Sequence, residues 1–445
     1  MQSYFCENNT DNVGEFLLSS KDAEILNGQT GKQVLYFETE QDAINRTNII
    51  DKNNTYTNTS SPQTIYVRVS NSSSGCSNGI TTFDVIVNPE PTNENVSNLS
   101  YCDDDMDGND TNGIVQNIDL DSLIEDILGP TQAVSDFTVT FHNSQVNATS
   151  GNSPLASPYQ NTIPNQQTIF VRIVNNNTGC VNDDFTFDII VNPLPDFDVI
   201  TPQILCLNQV PLTLGIENPS TIYDYVWEAP NGDLLMGEQI DIRNGGTYEV
   251  TATTTDGTNC SRSKRIVVNE SNIATITNDD VTIVDDSANN SISIDTTNLG
   301  IGDYEFALLG ETTGQTNFQD EPFFENLPGD IYTILVRDKN GCGTSSTLSV
   351  PVIQFPKFFT PNNDSRNDTW MIKGANSTFF PGSRIQIFDR YGKLVGSIDI
   401  DSDGWDGTYN GRILPSDDYW FVTRILKPDG TLMTERKGNF SLLRK

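Results

Sequence analysis

Three kinds of residue in this chain have the types and spacing to do chemistry: closely set carboxylates, seven cysteines and a single histidine. Asp103, Asp105 and Asp107 alternate in a D-x-D-x-D-G stretch closed by Gly108. Carboxylates this close repel one another, and a hard cation removes that penalty, so the stretch reads as the first half of a calcium loop. Ile114 stands where such a loop carries its last glutamate, so Asp110, Asp119 or Asp121 must complete the shell. The expected cofactor is a structural calcium ion on Asp103, Asp105, Asp107, Asp110 and Asp119; the alternative is a solvated acidic turn. The corresponding stretch near residue 1 carries Glu7, Asn9 and Asp11 and is the weaker candidate. The cysteines, at 6, 76, 102, 180, 206, 260 and 342, form no C-x-x-C pair and are spread along the chain, as disulfides in an oxidising compartment are. His142, in FTVTFHNS, reads as a surface strand residue with no nucleophile motif nearby. No G-x-S-x-G, H-E-x-x-H or phosphate-binding glycine loop is present. A glycosidase needs only two carboxylates, but small modules seldom shape a deep cleft, and the chain is expected not to be an enzyme.

The elements that must position these groups follow from an internal repeat. QTIYVRVSNSSSGCSNGITTFDVIVNPEP (63–91) matches QTIFVRIVNNNTGCVNDDFTFDIIVNPLP (167–195) at an offset of 104, and FCENN (5–9) matches YCDDD (101–105) at an offset of 96. Ile65, Val67 and Val69 alternate with Tyr66 and Arg68, the period of a half-buried strand, and Phe83, Val85 and Val87 repeat it. Arg68 and Arg172 fall on the outward phase and read as solvated cross-strand partners. The expected architecture is all-β, a row of antiparallel β-sandwich modules at 1–95, 96–195, 196–269, 270–353 and 354–445. In each of the first two, one cysteine opens the module and another sits in the last hairpin turn, so Cys6–Cys76 and Cys102–Cys180 are the expected bridges, each closing about 70–80 residues and contributing roughly 4 kcal/mol.

The formal net charge of −35 excludes a general nucleic-acid binder. It is unevenly placed: 356–445 hold 13 basic and 11 acidic residues, the remainder 12 and 49. The acidity serves solubility on a wet surface or cation binding. No apolar run approaches the roughly 20 residues that cross a bilayer. Met1 leads into polar sequence without a signal-peptide pattern, and Tyr4, Phe5 and Cys6 already read as a strand, so a piece of a longer secreted protein is expected.

Resemblances extend this reading. Cys206, Trp227 and Cys260 resemble the pin of immunoglobulin-type or PKD-type sandwiches, which implies a Cys206–Cys260 bridge. FFENLPGDIYTILVRDKNGC (323–342) resembles the short repeats of gliding-motility adhesins; Cys342 is left as a free thiol or one with a partner outside the chain. Residues 355–445 resemble the type B C-terminal sorting domain of the type 9 secretion system, the gliding motility-associated C-terminal domain. Phe359, Thr360, Pro361, Asn362, Asp364, Asn367, Asp368 and Trp370 match its opening motif, with Asn363 and Ser365 in place of the usual glycines. Trp405, Asp406 and Gly407 match a central turn, and Lys437, Gly438, Phe440, Leu442 and Arg444 its ending. The loop 362–368 reads as a side-chain-braced turn, the alternative being a cation on Asp364 and Asp368. The resemblance implies export to the surface of a Bacteroidota-type bacterium. It implies as partners the outer-membrane channel and shuttle and an SprF-like protein. The function expected is that of a secreted surface or adhesion protein, with glycans or other cells as targets; the alternatives are a calcium-dependent glycan- or protein-binding array and, behind it, an accessory part of a secreted polysaccharide-degrading enzyme.

Overall fold

In the computed structural model, residues 2–9, 11–77, 79–286 and 289–444 are described, and they fold into two compact units. The first comprises 1–196 with 220–224 and 252–262; the second comprises 197–219, 225–251 and 263–445.

Within the first unit the two repeats share one plan. In the first, a four-stranded sheet runs Gln2–Glu7, Thr81–Pro89, Gln63–Asn71, Lys32–Phe37. In the second the order is Leu99–Cys102, Val181–Asn192, Gln166–Asn175, Phe137–His142. The alternation read from sequence becomes a core: Ile65, Val67, Phe83, Val85 and Val87 in the first, Ile169, Val171, Ile173, Phe187, Ile189 and Val191 in the second. The sheets are not antiparallel throughout. Each opening strand runs parallel to the last, pairing Cys6 with Asn88 and Cys102 with Asn192.

A short helix crosses each sheet, Glu40–Asn45 capped by the Thr39 side chain and Gln145–Ser150 capped by Ser144. Arg68 and Arg172 are therefore not solvated cross-strand partners. Arg68 donates to the carbonyls of Ala43 and Ile44 (2.8 and 3.1 Å), Arg172 to those of Ala148 and Thr149 (both 2.9 Å), each satisfying helix-end acceptors. His142 is likewise buried rather than on the surface. Its Nδ1 lies 3.0 Å from the Asn152 carbonyl and its Nε2 2.9 Å from Thr140 Oγ1, and burial pushes its pKa down.

The second unit holds most of a third module, a fourth, and a C-terminal domain. The third has a five-stranded sheet ordered Gln203–Cys206, Ser261–Ser271, Gly246–Thr254, Tyr223–Glu228, Leu234–Met236. Its opening strand again runs parallel to its last. Trp227 is wholly buried and donates to the Gly237 carbonyl (2.8 Å). The fourth packs a four-stranded sheet (Gly314–Gln315, Tyr304–Gly310, Asp330–Asp338, Gly343–Val352) on a three-stranded one (Val281–Val284, Ser291–Ile294, Phe323–Phe324). The C-terminal domain has a five-stranded sheet, Phe358–Phe359, Leu432–Leu442, Asp417–Leu426, Arg384–Phe388, Leu394–Asp399, and a two-stranded ribbon.

Candidate functional site

The cysteines bond between modules, not within them. Cys6 pairs with Cys180, Cys102 with Cys260 and Cys206 with Cys342, at Cα separations of 5.5, 5.4 and 5.3 Å. Cys76 is free and exposed. The expected bridges Cys6–Cys76, Cys102–Cys180 and Cys206–Cys260 are thereby corrected, and Cys342 has its partner inside the chain. Strand direction is the reason. Cys6 lies beside Asn88, at the far end of Thr81–Pro89 from the turn that carries Cys76. Seven residues of strand separate the two ends by about 23 Å, and a bridge cannot form beyond about 7 Å between Cα atoms. The same holds for Cys102 beside Asn192 and Cys180 just before Val181. Had the opening strands run antiparallel, each opening cysteine would have faced its own hairpin turn.

Polar contacts seat each junction. Asn182, two residues past Cys180, donates to the Pro91 carbonyl (2.9 Å); Arg262, two residues past Cys260, donates to the Pro195 carbonyl (3.1 Å). Pro91 and Pro195 occupy the same place in the repeat. Arg262 also holds Asp110 Oδ2 at 2.6 Å. At the third junction Asn208 donates to the Cys342 carbonyl (3.0 Å) and Asn340 to Ser271 Oγ (3.2 Å).

The acidic stretch does not assemble a cation shell. Asp103 is buried and its Oδ2 accepts the Gly113 N–H (2.8 Å). Asp107 accepts from the Asn109 N–H and the Asn112 side chain, Asp110 is taken by Arg262, and Asp119 accepts from Ser122 and Ser157. Asp105 and Asp121 are exposed. Among the described residues no three His, Cys, Asp or Glu side chains converge as metal ligands. These donors fit an Asx-braced turn better than a calcium site. In the first repeat Glu7 takes the place of Asp103, its Oε1 accepting the Asn12 N–H, while Asn9 and Asp11 accept from N–H groups two residues on.

Sequence reasoning missed the groups that brace these turns. Asn58 accepts the Gly14 N–H (2.6 Å) and donates to Asn12 and Ser60 carbonyls; Asn161 accepts the Val115 N–H (2.6 Å) and donates to Gly113 and Ile163. Both are buried. The signal was present: each sits five or six residues before the Gln that opens the repeated strand text.

In the C-terminal domain the motif residues meet. Phe359, Trp370, Trp405, Phe440 and Leu442 share one core with Phe421. The rings of Trp370 and Phe440 stack at 4.0 Å, and Trp405 meets Tyr419 edge-on at 5.0 Å. Gly438 lies under Phe421: a Cβ there would stand 2.7 Å from its ring. Arg444 closes the domain, donating to the carbonyls of Leu414 (3.0 Å), Gly407 (3.0 Å) and Asp406 (3.3 Å).

The loop 362–368 is organised by Asp368. Its Oδ1 accepts the N–H groups of Asn362 and Asn363 (2.9 and 2.6 Å), its Oδ2 that of Ser365 (2.7 Å). Burial alone would raise its pKa, but those N–H groups outweigh that and hold it below the usual carboxylate range. Asp364 accepts from the Arg366 N–H and the Asn362 side chain, so both carboxylates brace the loop. Asn363, Ser365 and Asn367 have φ of 61°, 64° and 54°. The first two are the positions that replace glycine in the resembled motif, which explains why glycine is usual there.

This geometry defines a class: tandem β-modules joined covalently to their neighbours and followed by a cysteine-free domain closed by its own arginine. Comparison with known proteins adds the families. Residues 353–441 match the CHU_C Type IX secretion signal domain, and residues 2–91 and 98–195 each match the Flavobacterium inter-domain disulphide bond domain. The chain thus carries a type IX secretion signal at its C-terminal end, behind two tandem inter-domain-disulphide domains, and is secreted through the type 9 system. No helix among the described residues is long and apolar enough to cross a membrane. No curated protein matches the chain. Among solved structures, Sidekick-1 immunoglobulin domains 1–5 align at 10% identity and TM-score 0.21, covering 100% of this chain and 97% of that one. The N-terminal eight immunoglobulin domains of Down Syndrome Cell Adhesion Molecule give 10% and 0.25, covering 93% and 56%; a two-domain fibronectin type III segment of chicken tenascin gives 14% and 0.20, covering 35% and 97%. Scores this low carry no argument about any one relative.

Proposed function

We propose that this chain is a non-catalytic, covalently stapled array that the type 9 machinery places on the cell surface, where it serves in adhesion or as a structural spacer. The observation that carries the reading is the run of three bridges, each tying the opening strand of one module to the last hairpin of the next. Such bridges do nothing for a substrate cleft; they prevent a chain under tension from lengthening at its junctions. The non-catalytic part rests on the same side-chain economy. One cleft of about 560 Å³ is lined by Glu311, Thr312, Asp330, Ser365, Asp368 and Lys373. Of its three carboxylates, those of Asp330 and Asp368 accept backbone N–H groups. Export involves the outer-membrane channel and an SprF-like partner, and the targets are surface glycans or other cells.

The test has two arms. Residues 355–445 fused to a fluorescent reporter with an ordinary signal peptide are expected outside a type 9-competent cell and inside the periplasm of its secretion-null mutant. Reporter retained in both, with the SprF-like partner supplied, sinks the export assignment. Deleting the gene is expected to lower attachment of cells to glycan-coated and abiotic surfaces. Unchanged attachment, or turnover of any polysaccharide by the purified chain, sinks the adhesive reading.

A further inference from the structure

Between the first and second repeats, residues 91–98 belong to no strand or helix, and Thr92, Glu94, Asn95, Ser97 and Asn98 are exposed. The passage from the fourth module to the C-terminal domain has no such stretch. We propose that the secretion domain is therefore not shed after export but stays on the surface as the permanent last module of the array.

A protease needs several residues that can be lifted out extended and free of their own hydrogen bonds, which is why nicking concentrates at exposed, poorly bonded segments. Residues 350–359 meet neither condition. Val350 and Val352 are buried in the core of the fourth module, and Ile353, Phe355 and Phe359 in that of the C-terminal domain, so the chain passes from one core to the next between adjacent residues. Its backbone is bonded along the way. Val352 pairs with Asp330 in the sheet of the fourth module. The Ile353 N–H donates to Asp285 Oδ2 (3.3 Å), and its carbonyl accepts the Asp286 N–H (2.9 Å). Gln354 and Lys373 exchange both of their backbone bonds (3.1 and 3.0 Å). The Pro356 carbonyl accepts Trp370 Nε1–H (2.8 Å) and the Lys357 carbonyl the Ser441 N–H (2.9 Å). Phe358–Phe359 then joins the sheet beside Ser441 and Leu442. Lys357 and Phe358 are the exposed residues of this stretch, and they lie inside that bonded run.

Contacts on either side clamp the same stretch. Gln354 Oε1 accepts the Gly329 N–H (3.0 Å), and Arg436 holds Asp286 Oδ2 at 3.6 Å. Gly374 brings its backbone against the fourth module: a Cβ there would stand 2.0 Å from the Val352 carbonyl oxygen. The joint has no cysteine of its own, and backbone bonds and two adjoining cores do there what disulfides do between the earlier modules. Opening it to a protease means drawing Ile353 and Phe355 out of the C-terminal core and breaking the pairing of Gln354 with Lys373 together. The domain that serves once in export thereby gains a lasting second role as the closing module of the array.

The inference rests on export as proposed above, and the test reads the two separately. The chain is released from the surface of intact producing cells, reduced and digested with trypsin. Peptides from 358–445 are expected in equal molar amount to those of the first repeat, together with the peptide from Asn340 to Lys357 that spans the joint. Depletion of 358–445, or peptides ending between 343 and 356 where trypsin does not cut, overturns retention and leaves export standing; chain confined to the periplasm overturns both. A second arm supplies the protease. The purified full chain is treated with a broad-specificity protease beside a variant carrying a flexible Gly-Ser loop inserted between Pro356 and Lys357. The variant is expected to be cut in the loop and to release a fragment on a denaturing gel, while the parent chain stays joined across 343–359. Equal cutting of the two at this place overturns the proposal.

Discussion

The stapled modules and the C-terminal domain are both small β-structures, and they are held together by different means. The first repeat has a modest core that includes Tyr36, Ile65, Val67 and Val85, and it leans on a bridge to its neighbour. The C-terminal domain has no cysteine and stacks Phe359, Trp370, Trp405, Phe421 and Phe440 into one cluster. The difference teaches where the bridges act. They do not rescue one weak core by closing a loop within it; they set the relation of consecutive modules. The C-terminal domain contains no thiol, so no bridge has to form within its own core.

The largest effect expected from this contrast is mechanical. In the oxidised chain the shortest covalent path from Cys6 to Cys342 crosses to Cys180, follows the 26 residues to Cys206 and crosses the third bridge. Fully stretched, that path is about 100 Å, against about 1,100 Å for the same span after reduction. Single-molecule pulling between residues 6 and 342, with and without reductant, reads this directly; equal extensions would abolish the contrast. Next in size, Trp370→Ala is expected to destabilise the C-terminal domain by about 3–5 kcal/mol. Denaturant unfolding of this variant should give the same loss with or without reductant. Removing the first staple by Cys6→Ser together with Cys180→Ser should cost about 2–5 kcal/mol, and only in oxidised protein. Arg444→Ala, which leaves three carbonyls without their charged donor, is expected to cost about 2 kcal/mol in the same assay, while Arg444→Lys recovers part of it.

The smallest expected effect concerns pH. The Asp368 carboxyl is held below its ordinary value in the folded domain, so its contribution is complete above the unfolded carboxylate range. That contribution is lost as pH falls through the lower, folded value. The wild-type domain should therefore lose stability toward acid more steeply than Asp368→Asn, as melting curves across that range will record. Parallel curves would remove Asp368 from the account.

Much of the architecture was legible in the residues themselves. Period-two alternation over 65–69 and 83–87, copied at a fixed offset, specifies strands and their buried face, because neighbouring side chains on a strand point to opposite sides. The motif residues of the C-terminal domain were legible as a set, since aromatic and glycine positions recur where packing leaves no other choice, as Gly438 beneath Phe421 shows. The helices under Arg68 and Arg172 were not, because six residues are too few to show a helical period. The partners of the acidic run 103–107 were not legible, because Asp is equally suited to bind a cation or a backbone N–H; in the fold Asp103 accepts the Gly113 N–H and Asp107 that of Asn109. Pairing of the cysteines was beyond the sequence for a similar reason. Their positions in strand and turn are local facts, but whether Cys6 faces Cys76 or Cys180 depends on the direction in which the opening strand joins the sheet. The residues determined modules, strands, cores and a terminal domain with its own motif; the tertiary structure alone decided, by laying the opening strand parallel to the last, that the sulfurs would reach across to the next module.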